Sequence, residues 1–468
     1  MKPQGPVIVG AGPAGLAAAL ALVDSGLRPL VIDENQAAGG QIYRKEHRSV
    51  GARESGGSSR LVERFESVLD RVDYVREAAV WGVFERRLAV SGERGSYEID
   101  ASHLLLATGA YEFCPPFPGW TKPGVMTPGA AQSMVKTMGV LPGRRVVVAG
   151  SGPFLLVVAE QLARAGSEVV ALVEAASLGA LLPVVPALAG TPKLARQACR
   201  LVLVARKRRI PVYRGHMVVD VEGESRLSSV TLAPCDRDWE PDLNRKLQLD
   251  ADVLAIGYGF VPRIQLAQLL GCQLRFQDEV GGWVPEVDAT QETTVENVWV
   301  AGESAGVAGA LVAELEGQIA GLAMARRFGA LEERVFSSLV RHPQRRLRKL
   351  ARFRAVLDRA SRPRKGLFAL PQPETIVCRC EELRRHEIDE AVSAGSDTLR
   401  TIKVATRLCM GPCQGRMCWP FMSRYISWKT GHPKEWSGPL SVRAPIKPVS
   451  LGDLAREPDV LEVQKRTP

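Results

Sequence analysis

The stretch from Val7 to Gln41, VIVGAGPAGLAAALALVDSGLRPLVIDENQAAGGQ, restricts the fold of this chain more than any other. An apolar run, Pro6 to Val9, leads into Gly10, Gly12 and Gly15 at G-x-G-x-x-G spacing. An Ala/Leu-rich helix follows, and a second apolar run ends in Asp33-Glu34. This is one strand-helix-strand unit. Its glycines let the backbone turn tightly and approach a pyrophosphate, whose charge is met by the free N–H groups of a helix N-terminus. An acid about twenty residues on accepts ribose hydroxyls. Counted from Gly10, Asp33 fits that role, with Glu34 beside it as the rival, and Gly39-Gly40-Gln41 follow in register.

At 468 residues the chain exceeds the size at which one core stops growing, so two or three domains are expected. No apolar run reaches the roughly eighteen residues of a membrane span. The glycine fingerprint and its acids argue against a signal peptide, so the chain is expected to begin at Met1 in the cytoplasm. The formal charge of +10 is concentrated: Arg341 to Gly366 holds eleven Lys/Arg against the single acid Asp358. Such a segment can attract nucleic acid, an anionic membrane or an acidic partner. A solvated linker helix with Leu347, Leu350, Phe353 and Leu357 packed inward is the preferred reading. No nucleic-acid module accompanies it.

Further along, Leu61 to Val72 reads as a helix and Ala78 to Asp100 as antiparallel hairpins. His103 to Ala110 reads as a buried strand ending in Thr108-Gly109-Ala110. A second fingerprint lies in Val146 to Ala175. Gly150, Gly152 and Glu174 occupy the expected places, but Leu155 stands at the third glycine. That position normally permits close helix-strand packing, so a leucine should push the helix outward and narrow the nucleotide shelf. The unit either holds an adenine nucleotide or keeps the fold with an idle pocket, and Glu174 favours NAD over NADP. Leu178 to Ala189, LGALLPVVPALA, is expected to be a buried loop or, preferably, a subunit contact. Thr293 to Ala325 returns to the first unit, where a short strand delivers Gly302-Glu303 to a helix N-terminus. An acid there suits ribityl hydroxyls, and the helix dipole stabilises negative charge.

Residues 1 to about 330 resemble the two-dinucleotide-binding-domain flavoproteins of the thioredoxin-reductase and glutathione-reductase type. The resemblance implies an α/β fold in which a Rossmann-like FAD domain (1–115 and 250–330) carries an inserted second Rossmann-like domain (116–249). It implies FAD on Gly10, Gly12, Pro13, Ala14, Gly15, Asp33, Glu34, Gly40, Gln41, Val80, Thr108, Gly109, Gly302 and Glu303. No redox Cys pair follows Gly40 and no C-x-x-C lies in the insert, so disulfide reduction is not expected.

Four cysteines, Cys114, Cys199, Cys235 and Cys272, are scattered; Cys378, Cys380, Cys409, Cys413 and Cys418 crowd the last quarter. Such clustering suggests a metal site before disulfides. Cys378-x-Cys380 and Cys413-Gln-Gly-Arg-Met-Cys418 supply two short-range thiolate pairs, which suit a [2Fe-2S] cluster; zinc also accepts four cysteines. The segment, with Thr406-Arg407, Met410-Gly411 and Cys413-Gln-Gly-Arg416, resembles the bacterioferritin-associated-ferredoxin-like [2Fe-2S] domain fused to flavoproteins. Cys409 stands where that pattern has glycine and is read as a fifth, non-ligating thiol. A basic helical linker (331–370), this small helical domain (371–425) and a tail (426–468) complete the chain.

The order of FAD unit with GGQIYR (Gly39 to Arg44), glycine-deficient second unit and cysteine domain is similar to the α (A) subunits of bacterial dye-linked amino-acid dehydrogenases, of the opine oxidase, D-hydroxyproline dehydrogenase and hydrogen cyanide synthase type. That resemblance implies an electron-transfer component beside a substrate-oxidising flavoprotein β subunit. A further partner in the same expectation is a small ferredoxin-like γ subunit, and the acceptor is a quinone or another carrier. A flavin or adenine nucleotide shared at the subunit interface and a peripheral contact with the inner membrane also belong to it. The six histidines are dispersed, and no residue constellation is spaced for amine deprotonation. A self-contained NADH-dependent FAD oxidoreductase is the alternative.

Overall fold

The computed structural model describes residues 5–44, 60–93, 95–455 and 459–460. The chain start and most of the polar stretch after Arg44 lie outside the described residues. The opening unit consists of β1 (Val7–Val9), α1 (Pro13–Asp24) and β2 (Leu30–Ile32), all with buried strand residues. Alanines and leucines pack α1 on every side, because it lies between a sheet and another helix. A short helix α2 (Gly40–Tyr43) starts from Gly39, whose φ of 119° only glycine adopts readily.

The predicted helix 61–72 is shorter than expected: Arg60–Glu66 is α-helical and Leu69–Arg71 forms a separate 3-10 turn. Next come β3 (Asp73–Val75), the antiparallel meander β4 (Ala79–Phe84), β5 (Arg87–Gly92) and β6 (Gly95–Asp100), and the buried strand β7 (Leu104–Leu106).

The second unit begins with α3 (Pro128–Ser133), capped by the Thr127 hydroxyl. Then follow β8 (Arg145–Gly150), α4 (Phe154–Ala165) and β9 (Glu168–Glu174). Three helices, α5 (Leu178–Leu181), α6 (Val184–Ala187) and α7 (Pro192–Lys207), precede β10 (Val212–Arg214) and β11 (Val253–Gly257). Of the two expectations for 178–189, the buried loop is not what forms: the segment is an exposed pair of short helices, with Leu178, Leu182 and Val185 open to solvent, and the preferred subunit contact remains a proposal.

The chain returns through β12 (Val298–Val300) and α8 (Ala310–Arg327). Two parallel five-stranded sheets result. The first runs β12-β7-β1-β2-β3, the second β10-β9-β8-β11 and a two-residue strand at Val125–Met126. Each glycine turn therefore sits at the carboxyl end of a central strand, where open α/β sheets place their ligands. Helices α1 and α8 cross in backbone contact: a Cβ on Gly317 would lie 2.0 Å from the Ala14 carbonyl oxygen, and one on Gly321 2.6 Å from that of Ala18.

The 29-residue helix α9 (Glu333–Ser361) buries Phe336, Val340 and Leu350 and half-buries Leu347, Phe353 and Leu357. It leads to a small module of α10 (Arg385–Ser393), α11 (Leu399–Thr406) and α12 (Trp419–Thr430). Among the described residues no helix is long and apolar enough to cross a membrane.

Candidate functional site: a dinucleotide cradle, an altered second turn and a thiol group

Three glycines of the first turn have different reasons to be glycine. A Cβ on Gly10 (φ 106°) would come within 2.4 Å of the Ala107 oxygen, and one on Gly15 within 1.8 Å of the Gly10 oxygen. Both are therefore required by the chain itself. A Cβ on Gly12 would meet nothing of the protein nearer than 3.9 Å, the Gly40 Cα. Gly12 is thus dispensable for the fold and keeps open the space in front of α1, where the first turn carries no acid and Pro13 occupies the first helical position. Gly40 faces it closely, since a Cβ there would lie 2.9 Å from the Gly12 Cα. This bare, donor-lined space is what a pyrophosphate needs.

Asp33 is buried at the end of β2, where it accepts from the Ala11 N–H and, through Oδ1, from the Asn35 N–H and side-chain amide at 2.7 Å each. Glu34 is otherwise engaged: it pairs with Arg263 at 3.0 Å and with Lys447. Burial would raise its pKa, but Lys447 and Arg263 hold it below the usual carboxylate range. Val80 lies buried on β4, two residues beyond Ala78, whose N–H donates to the Asp33 carbonyl. Thr108 donates to the Arg263 carbonyl at 3.2 Å, and the Arg263 N–H returns a bond to Gly109 at 3.0 Å. Gln41 is exposed on α2.

Gly302 and Glu303 follow β12 in a 3-10 turn, and α8 begins only at Ala310. The expected direct delivery of a helix N-terminus is therefore wrong by a six-residue connection, which Gly306 and Gly309 at positive φ bend back. Glu303 is half-buried, and burial raises its pKa. Sequence reading missed Glu316 on α8, which accepts from the Gly302 N–H at 2.9 Å. Burial pushes this carboxyl up to about 7, opposed by that hydrogen bond and by Arg354. It also missed Glu314, which accepts from the Tyr43 hydroxyl.

The second turn keeps the topology and alters the geometry; a Cβ on Gly152 would still lie 3.7 Å from its nearest neighbour, the Ser361 hydroxyl. Gly150 repeats the role of Gly10, as its Cβ would lie 1.7 Å from the Gly257 oxygen. Leu155 is buried, and α4 starts four residues after Gly150, whereas α1 starts three after Gly10. The extra residue is absorbed by Gly152 at φ 105°, against −80° at Gly12. The Gly152 N–H donates to Glu174 at 3.0 Å, and the Ser151 hydroxyl donates to the carbonyl of Ser361, the last residue of α9, at 3.1 Å. Phe154 packs edge-to-face on Phe260 at 5.3 Å. A small cavity of about 10 Å³ lies among Glu112, Ser151, Phe154, Leu155 and Phe260.

In the C-terminal module, Cys378, Cys409 and Cys418 are buried, Cys413 is half-buried and Cys380 is exposed. The thiols face one another across the two motifs, Cys378 beside Cys418 and Cys380 beside Cys413. Cys409 lies 3.4 Å from Cys418. Its φ of 66° is the left-handed conformation that a glycine would fill there. Gly411 and Gly415 make room, for a Cβ on them would come 2.2 Å from the Cys380 Cβ and 3.0 Å from the Cys409 Cβ. Among the described residues no three His, Cys, Asp or Glu side chains close to metal-ligating geometry.

The pyridine nucleotide-disulphide oxidoreductase family model matches residues 6–326, and the sarcosine oxidase A3 domain model matches residues 372–457. Hydrogen cyanide synthase subunit HcnB of Pseudomonas aeruginosa is 36% identical over 95% of this chain and 97% of its own. An opine oxidase subunit of Agrobacterium tumefaciens is 33% identical over 98% and 93%. The crystal structure of L-proline dehydrogenase from P. horikoshii shares the fold at a TM-score of 0.69, with 24% identity over 96% of this chain and 79% of that one.

Proposed function

Because this chain belongs to the pyridine nucleotide-disulphide oxidoreductase family, and within it to the group of HcnB and its opine oxidase counterpart, we propose that it is the electron-transfer subunit of a heteromeric amino-acid or imino-acid dehydrogenase. It is an FAD-dependent oxidoreductase. The observation that supports the relay role is the departure of the second glycine turn from the first: a leucine at the third glycine, a helix start one residue later and a Ser151–Ser361 bond across the turn. With the usual hydride-donor turn so altered, the flavin receives its electrons from elsewhere, and a substrate-oxidising flavoprotein β subunit is the source we assign.

FAD, when bound, accepts electrons in pairs and releases them singly. Gly12 and Gly40 would flank its pyrophosphate, Asp33 its adenosine ribose and Glu303 its ribityl chain, with Gly10, Pro13, Ala14, Gly15, Gln41, Val80, Thr108 and Gly109 lining the cradle. The Glu316 carboxyl, bonded to the Gly302 N–H, fixes the turn that presents Glu303. For the thiol group we propose a [2Fe-2S] cluster on Cys378, Cys380, Cys413 and Cys418. A donor set made wholly of sulfur and two glycines that yield space to thiols support it. The oxidised substrate is an opine, D-hydroxyproline or a related amino or imino acid. A quinone or other acceptor takes the electrons; the complex also includes a ferredoxin-like γ subunit, and it attaches peripherally to the inner membrane.

The test is to purify the chain alone and with its amine-oxidising partner. The chain alone should bind FAD, show a paramagnetic signal on reduction and leave opines, proline and hydroxyproline unoxidised; the pair should oxidise one of them. Full activity of the isolated chain would remove the electron-relay assignment. Rapid flavin bleaching by stoichiometric NADH would replace it with the self-contained NADH-dependent reading.

A further inference from the structure

Between Glu174 and Asp220 the chain carries eight Lys/Arg (193, 196, 200, 206, 207, 208, 209 and 214) and no acid. The same segment holds the exposed helices α5, α6 and α7. Leu178, Leu182, Val185 and Leu203 stand 59%, 60%, 66% and 63% exposed, and Ala205 is the one described side chain of α7 that is buried. Arg196, Arg200, Arg206, Lys207, Arg208 and Arg209 are exposed among or beside these apolar side chains. Helix α9, the other strongly basic element, packs against α5 and α6. Exposed leucines and a basic face therefore occur together, on consecutive short helices.

We propose that α5–α7 form a docking surface for an anionic lipid bilayer, with α9 adding charge at its edge. Leu178, Leu182, Val185 and Leu203 would enter the boundary between headgroups and acyl chains while the arginines meet lipid phosphates. Charge decides between occupants. A second copy laid on this surface would oppose the six exposed cations Arg196, Arg200, Arg206, Lys207, Arg208 and Arg209 with the same six, and no acid within the segment relieves them. A soluble polyanion would use the arginines and leave the leucines in water. A partner subunit would need an acidic and an apolar face in the same register, whereas an anionic bilayer supplies both at any point of its surface, and no helix of this surface has to cross it. The inference rests on the reading of the protein as peripheral to a membrane and names the surface that makes it so.

Sedimentation of the full FAD-loaded chain with vesicles tests it. Vesicles of phosphatidylcholine containing one quarter phosphatidylglycerol should carry the protein down, pure phosphatidylcholine vesicles should not, and added salt should release it. The double variants Leu182→Glu/Leu203→Glu and Arg196→Gln/Arg200→Gln should each bind about tenfold more weakly with an unchanged flavin spectrum. Undiminished binding by both variants would overturn this surface while leaving the protein peripheral. Absence of wild-type binding to any vesicle would overturn both readings. Loss of dimerisation or of the substrate-oxidising partner in the leucine variant, without vesicle binding by the wild type, would make the surface a protein interface.

Discussion

Gly12 and Glu316 show how residues on one cradle can answer to different demands. Because a Cβ on Gly12 meets no protein atom nearer than 3.9 Å, Gly12→Val should fold normally and emerge free of flavin, read as an absent visible absorbance with the unfolding midpoint of the flavin-stripped wild type. Normal flavin content would move the pyrophosphate elsewhere. Gly15→Val, by contrast, should fail to fold, since the Gly10 oxygen already occupies its Cβ position. Glu316 belongs to the protein before the ligand. Its carboxyl is raised from 4.5 to about 7 in the folded state, so the folded chain holds a proton that the unfolded chain releases. Its contribution to stability is full below pH 4.5 and is lost as pH rises through 7, to the extent of about 3 kcal/mol. Glu316→Gln, which keeps an acceptor for the Gly302 N–H, should remove that dependence. Denaturant midpoints at pH 5 and pH 8 with saturating FAD should therefore lie closer together in the variant, and an equal separation would place the titration on another group. Cys413→Ser should abolish the reduced-cluster signal and Cys409→Ser should preserve it; the reverse result would make Cys409 the ligand.

At the scale of elements, the opening unit was legible because its information is local: glycine spacing, an apolar helix and a terminal acid all lie within thirty-five residues. The second unit was legible in topology, and its deficiency in Leu155 was visible, but the physical consequence was different from the one expected. The helix is not simply pushed outward; its start slips by one residue, Gly152 takes a left-handed conformation, and the freed turn is capped by Ser361. Ser361 lies 210 residues away, which no local pattern encodes. The same holds for Lys447, which reaches Glu34 from the supposed tail, and for Ile446, buried beside the meander with its N–H on the Trp81 carbonyl. Long-range pairs of this kind draw Glu34 away from the turn and leave Asp33 as the acid bonded to it. Since the Ser151–Ser361 bond and the Phe154–Phe260 pair cover the second turn, stoichiometric NADH should not bleach the flavin within seconds, and Leu155→Gly should not restore bleaching while Ser361 and Phe260 remain in place.

Across the whole molecule, the thiol module is attached by a buried charge rather than by an apolar seam alone. Arg424 of α12 donates to the carbonyls of Pro420 at 2.8 Å and Gly281 at 3.3 Å, lies over the Phe113 ring at 5.1 Å and stands 3.5 Å from Asp278. Burial would raise the Asp278 carboxyl, but Arg424, Lys434 and Arg362 hold it below the usual range, so it remains ionised at the junction of three segments. Trp120 adds a bond from its indole to the Ile376 carbonyl at 2.7 Å, two residues before Cys378. Removing one partner of a buried pair costs more than replacing both, because the survivor keeps its desolvation penalty. Asp278→Ala leaves Arg424 buried without a counter-charge and should cost about 3 kcal/mol at this junction. Amide exchange in α12 should then accelerate about a hundredfold, if opening of the module governs that exchange. Arg424→Leu, which removes the buried cation, keeps an apolar side chain under Phe113 and leaves Asp278 with Lys434 and Arg362, should cost clearly less. Equal protection of α12 in the wild type and both variants would show that the module is held by its apolar contacts with Phe368 and Phe421, and that the position of its thiols relative to the flavin unit does not depend on this ion pair.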